Sequence, residues 1–238
     1  MKVEGKNAVL EALKSDVTID CIYAEKGASH PIVALAQQQG VKLKFVDKFI
    51  LDKESVSGHH QGFIAQTSDF IYCEVDDIIN AAAKKNEPPF IVILDGIEDP
   101  HNFGSILRAV ECAGAHGIIF AKNRAVCVTE TVIRVSSGAA QHVKVARVTN
   151  INNTIRELKE KNIWVYAADM NGQSIYKTNL KGALAVVIGG EGNGVSKLTK
   201  ELCDGVISLP IKGEVGSLNA SVACGIVLYE ALRQRDEK

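Results

Sequence analysis

The chain has 238 residues, of which 46% are apolar and 23% charged, with a formal net charge of −1. This is the composition of an ordinary globular protein, long enough for one large domain or two small ones. No apolar run reaches membrane-span length and the opening "MKVEGKNAVLEALKSD" lacks a secretory h-region, so a cytoplasmic protein without membrane contact is expected.

The first residues alternate short helical and strand patterns. "GKNAVLEALKS" sets Val9, Leu10 and Leu13 on one helical face, and "IDCIYAE" reads as a strand. "PIVALAQQQG" reads as a helix with Pro31 at its start and Gly40 past its end. "VKLKFV" alternates with period two, and "GFIAQT" gives a further strand. Residues 1–67 are therefore expected as a small α/β domain. Residues 68–87 are expected as the linker, with a short helix from Asp76 and Asp77 to Lys85 that Pro88 and Pro89 stop.

Residues 88–238 change to longer repeats. "FIVILD", "GIIFA", "VKVARV", "IWVYAAD", "ALAVVIGG" and "GVISLP" are apolar strands. Between them fall helices at 103–114, 129–137, 150–161 and 197–202, with a long one from about Ser217 to Arg235. Such alternation implies a parallel sheet covered on both faces, binding ligands beyond the carboxyl ends of its strands.

Six scattered cysteines without a C-x-x-C pair, and adjacent His59 and His60 without companions at ligand spacing, argue against disulfides and a metal site. The near-zero net charge does not announce a nucleic-acid binder. Every arginine, however, lies at or after Arg108, which places bidentate phosphate recognition in the C-terminal part.

Three strand ends carry polar residues. In "LDGIEDPHNFGSILRAV", Asn102 reads either as a helix cap or as a site residue. Arg108 is placed on the first turns of that helix, where the dipole disfavours a cation unless an anion joins it. In "VVIGGEGNGVS" the glycines fit neither the dinucleotide nor the P-loop fingerprint. Glu191 in their midst would repel a bound phosphate by several kcal/mol at an effective dielectric of about 20. The loop therefore suits a nucleoside without phosphates or one bearing positive charge, as S-adenosylmethionine does. In "LPIKGEVGSLNASVACGIVLYEA", Ser217 is placed to cap the last helix, with Asn219 in its first turn. From Val222 to Tyr229 that helix is apolar almost all round, which asks for a second partner, most simply another copy of the chain.

Together "NFGSILR", "IGGEGNGVS" and "LPIKGEVGSLNASVACGIVLYEA" resemble the three motifs of the SpoU (TrmH-like) RNA ribose 2'-O-methyltransferases, in the family's order. "EGKNAVLEAL" and "HHQGFIAQ" are similar, more loosely, to the L30e-like RNA-binding domain of the RlmB-type subfamily. The resemblance implies the SPOUT class: a Rossmann-like parallel sheet with a C-terminal trefoil knot, preceded by an L30e-like α/β domain. It further implies S-adenosylmethionine as cofactor, a homodimer and a ribosomal RNA substrate. Gly189, Gly190, Gly192, Leu209, Ile211 and Leu218 would hold the cofactor. Asn102, Arg108, Glu191, Ser217 and Asn219 would line the reaction centre.

A guanidinium is a poor base at neutral pH, so Arg108 is expected as a clamp and Glu191 as proton acceptor. Candidate RNA contacts are Lys42, Lys44, Lys48, Lys53, Lys122, Arg124, Arg134 and Lys144. Transfer RNA stays open as the substrate, and so does a non-catalytic RNA binder that keeps the fold.

Overall fold

The computed structural model describes residues 2–15, 17–68 and 70–237. Met1 and Lys238, the outer limits of the two expected domains, lie outside the described residues, as do Asp16 and Asp69. The chain forms two compact units that divide between Ile71 and Tyr72.

The first unit is built from β1 (Lys2–Glu4), α1 (Lys6–Lys14), β2 (Thr18–Glu25), α2 (Pro31–Gln38), β3 (Leu43–Val46), α3 (Lys48–Glu54) and β4 (Phe63–Ser68). Its sheet runs β1-β4-β2-β3, with β2 and β3 parallel and the other pairs antiparallel. Val9 and Leu13 on α1, and Ile32 and Ala36 on α2, are spaced i, i+4 and bury against Ile22, Ala24, Phe63 and Ala65. β1 and α3 have no counterpart in the sequence reading. β1 is three residues long, and α3 buries only Leu51, too little to give a period.

The second unit continues with α4 (Val75–Lys84), β5 (Phe90–Asp95), α5 (Pro100–Cys112), β6 (Gly117–Ala121), α6 (Glu130–Val135), β7 (Lys144–Val148) and α7 (Ile151–Glu160). It ends with β8 (Trp164–Ser174), β9 (Leu184–Gly189), α8 (Lys197–Leu202), β10 (Gly205–Ser208) and α9 (Ala220–Asp236). The stretch read as a linker thus contains α4, whose Ile78 is buried with Ile91 and Ile119. All six strands are parallel, in the order β10-β8-β9-β5-β6-β7. Ile91 and Ile93 bury against Ile151, Ile155 and Leu158 of α7. Val92 and Leu94, also fully buried, point to the opposite face. Two covered faces explain why these strands read as unbroken apolar runs.

The sheet order fixes where a ligand can bind. From β5 the chain moves to β6 on one side, whereas from β9 it passes through α8 to β10, beyond β8. The neighbouring ends Asp95 and Gly189 are register partners, so the connections diverge above them and leave a crevice. Strand β8 adds a wall. Ala167 pairs with Val206 but Gln173 pairs with Ile207, so residues 168–172 arch out of register.

Candidate active site

The loop after β9 folds back on itself because its glycines allow it. A Cβ on Gly189 would lie 2.1 Å from the carbonyl carbon of Gly194, and one on Gly190 would lie 2.1 Å from the carbonyl oxygen of Gly96. The Gly190 N–H donates to the Asp95 carbonyl (2.9 Å), and the Gly194 N–H donates to the Gly190 carbonyl (3.0 Å). Gly192 and Gly194 take φ of 85° and 59°, the region where only glycine is unstrained. The Asp95 carboxylate accepts from the Ser196 N–H at 3.0 Å and so ties the far end of the loop to β5.

Glu191 is thereby held toward two asparagines from distant elements. Its Oε1 accepts from Nδ2 of Asn102 (2.7 Å) and Nδ2 of Asn219 (3.0 Å), and Nδ2 of Asn219 also donates to Oδ1 of Asn102 (2.9 Å). The amide orientations follow in sequence. Oδ1 of Asn219 caps α9, accepting from the N–H groups of Ser221 and Val222. That turns its Nδ2 to Asn102 and leaves the Asn102 Nδ2 for Glu191.

Two expected caps are corrected by this geometry. Asn102 is not the cap of α5: Asp99 is, accepting from the His101 N–H (2.9 Å) with Pro100 at the first helical position. Asn102 is the third residue of the helix and is buried. Ser217 does not cap α9, because Asn219 does. The earlier start of α5 also moves Arg108 to its ninth residue, beyond the reach of the N-terminal dipole. Arg108 is exposed and forms no hydrogen bond or ion pair with a described residue, so the structure does not bring it to the asparagine–glutamate cluster.

A cavity of about 250 Å³ opens beside the cluster. Gly189, Gly190, Gly192, Leu209, Ile211 and Leu218 all line it, with Glu191 and Ser217. Among the described residues no lysine or arginine lines it, and its other carboxylate is Asp169, on the arched part of β8. Lys200 pairs with Asp169 at 2.9 Å. Burial pushes the Asp169 carboxyl up, but the hydrogen bonds from Lys200 and the Asn171 N–H, with the Lys200 charge, outweigh it and leave it below the usual carboxylate range. Glu191 thus remains the carboxylate of this cavity without a cation beside it. Sequence reasoning missed Asp169 and Lys200, which carry no local pattern. It also missed the cap at Asp99, for which the Asp-Pro pair is a signal.

A second, open cavity of about 580 Å³ lies on the other side of the glycine loop, and Asn102, Glu191 and Arg124 line it. Of the other basic candidates, Lys122 lines a separate polar cleft beside Arg147, while Arg134 and Lys144 are exposed on α6 and β7. Lys44, Lys48 and Lys53 are exposed on β3 and α3 of the first unit, and Lys42 precedes β3 half-buried. Among the described residues no cluster of three or more His, Cys, Asp or Glu is arranged to hold a metal ion, and no helix is long and apolar enough to cross a membrane.

Residues 89–229 match the SpoU rRNA Methylase family, and residues 2–73 match a family described as RNA 2'-O ribose methyltransferase substrate binding. The chain is 48% identical to YacO of Bacillus subtilis, assigned to the TrmH family of tRNA/rRNA methyltransferases, over 98% of this chain and 96% of that one. It is 41% identical to the 23S rRNA (guanosine-2'-O-)-methyltransferase RlmB of Escherichia coli, over 86% of this chain and 84% of that one. Among solved structures it is similar in fold to the SpoU methyltransferase AviRb from Streptomyces viridochromogenes in complex with AdoMet. That match has a TM-score of 0.63 and 23% identity, over 98% of this chain and 90% of that one. From residues 89 to 229, the chain belongs to the SpoU rRNA methylase family.

Proposed function

We propose that this protein transfers a methyl group from S-adenosylmethionine to the 2'-hydroxyl of a guanosine ribose in large-subunit ribosomal RNA. The observation that carries the reading is the cavity bordered by glycines and by Glu191, free of lysine and arginine, that meets the Asn102–Glu191–Asn219 cluster. A phosphate-bearing cofactor there would meet Glu191 with no lysine or arginine among the described lining residues, whereas a sulfonium is attracted. The residues therefore fit the proposed cofactor: backbone around Gly190, Ile211 and Leu218 would hold adenosine, and Glu191 would face the positive end. Identity to RlmB supports the guanosine and the ribosomal RNA.

The cofactor supplies an electrophilic methyl group; the protein must align the hydroxyl with it and take the proton. Glu191 accepts both asparagine bonds on Oε1. Its Oε2 is left to accept from the ribose hydroxyl. Asn102 and Asn219 hold that carboxylate in place, and Ser217, at the cavity wall, orients the ribose. Arg108, exposed on α5, is proposed to reach the RNA as a clamp on a phosphate or on the developing oxyanion.

The first domain, residues 1–67, is proposed to bind the RNA and residues 88–238 to form the catalytic domain, with α4 of the intervening 68–87 packed into the core of the second unit. The C-terminal part is proposed to form the trefoil knot, a reading supported by the match of residues 89–229 to the SpoU rRNA Methylase family, whose likeness implies that topology. Val222, Ile226 and Tyr229 form an exposed apolar stripe at i, i+4 and i+7 on α9. That stripe supports a homodimer.

Purified protein with methyl-labelled S-adenosylmethionine, offered unmodified 23S rRNA and transfer RNA transcripts separately, is expected to give one 2'-O-methylated guanosine in the 23S rRNA. Label found only on a base, only on transfer RNA, or on no RNA would overturn the reading.

A further inference from the structure

We infer that Arg124 anchors a phosphate of the target nucleotide in the second cavity. This rests on the methyltransferase reading and adds the residue by which the substrate is seated. Arg124 is the one basic residue among the described residues lining that cavity, which it shares with Asn102 and Glu191. Four carboxylates line the same space, yet Arg124 forms an ion pair with none of them. Three are occupied otherwise. Asp95 accepts from the Ser196 N–H, Asp99 caps α5, and Glu191 accepts from the two asparagines. The fourth, Glu98, is exposed.

The arginine also sits in a turn that is tied to the neighbouring loop. Its own φ is 55°, in the left-handed region that non-glycine residues seldom enter. The next residue, Ala125, is buried, and the Val126 N–H donates to the Ile97 carbonyl at 2.9 Å. A strained backbone bearing a guanidinium without an ion-pair partner among the described residues suits a planar, bidentate anion site. In a cavity whose other charged residues, among those described, are acids, it marks the point where a backbone phosphate is accepted while the adjoining ribose lies toward Glu191.

Binding of unmodified 23S rRNA transcript to the full-length protein, titrated from about 50 to 200 mM KCl, tests this, with S-adenosylmethionine binding measured in parallel. Arg124→Gln and Arg124→Gly should weaken RNA binding about tenfold at the lower salt and flatten the log affinity against log salt slope by about 0.7–0.9. Arg124→Lys should keep the slope, and cofactor affinity should stay as in wild type. Arg124→Gly relieves the positive φ, so a loss in that variant is not a folding loss. An unchanged slope in both neutral variants overturns the anchor. So does cofactor affinity falling in step with RNA affinity, which would assign the arginine to the cofactor's own carboxylate. A wild type that binds RNA but methylates none sinks the methyltransferase reading, while the salt slopes still decide the arginine.

Discussion

Asn102 and Asn219 lie 117 positions apart, yet Nδ2 of Asn219 donates to Oδ1 of Asn102 over 2.9 Å while both amides donate to Glu191. One capping interaction at the start of α9 therefore sets the orientation of a carboxylate in the loop after β9. Glu191→Gln keeps an accepting oxygen for the asparagines but removes the proposed proton acceptor. Its single-turnover rate with saturating RNA is expected to fall by about 10²-fold or more. A near-normal rate would exclude Glu191 as the base.

Arg108 makes a different prediction because it stands outside the cluster. Arg108→Lys retains the charge and loses the bidentate fork, so the transfer rate is expected to fall while cofactor affinity, measured by calorimetry, holds. Full rate in this variant would remove the clamp.

The glycine turn tolerates no side chain at its second position. Gly190→Ala drives a Cβ to within 2.1 Å of the Gly96 carbonyl oxygen, and a stability loss of about 3 kcal/mol is expected. Gly213→Ala meets nothing within 4 Å and is expected to stay within about 0.5 kcal/mol of wild type. Urea denaturation of the two variants distinguishes a packed turn from a merely pliable one.

His116 gives the fold a dependence on pH. Its Nδ1 accepts from the Phe90 N–H at 3.0 Å, so Nε2 carries the proton toward Glu87. Burial pulls the imidazole below its ordinary value, and the Glu87 hydrogen bond only partly opposes it. The folded state therefore binds fewer protons here than the unfolded chain. The corresponding stability is full above the unfolded value of about 6.5 and is lost as pH falls through it toward the lower folded value. Melting temperatures from pH 7.5 to 5.5 should decline more steeply for wild type than for His116→Gln. Equal slopes would contradict the assignment.

The α9 stripe predicts assembly. Light scattering should give about twice the 25.6 kDa chain mass for wild type, and Tyr229→Asp should shift it to the monomer. A monomeric wild type at micromolar concentration would refute the homodimer.

Much of the second unit was legible in the sequence because buried parallel strands announce themselves as apolar runs. "FIVILD" and "GIIFA" coincide with β5 and β6. Glu191 stood out because a charge among glycines restricts what can bind there. The start of α5 was misjudged by weighing Asn102 as a cap while Asp99 and Pro100 stood three and two residues earlier. The same kind of choice, Ser217 over Asn219, misplaced the start of α9. The meeting of Asn102 with Asn219 has no local signature, since it depends on the order of strands in the sheet. Nor does the arch at 168–172, where the apolar pattern simply lapses.

The turn between Gly190 and Gly194 is a party wall with a hollow on either side, and Glu191 is exposed to both. Under the proposed function, cofactor and RNA are admitted through separate doors and need not queue. Initial-rate kinetics should therefore show intersecting lines with no compulsory order of arrival, and each product should inhibit competitively only against the reactant whose room it shares.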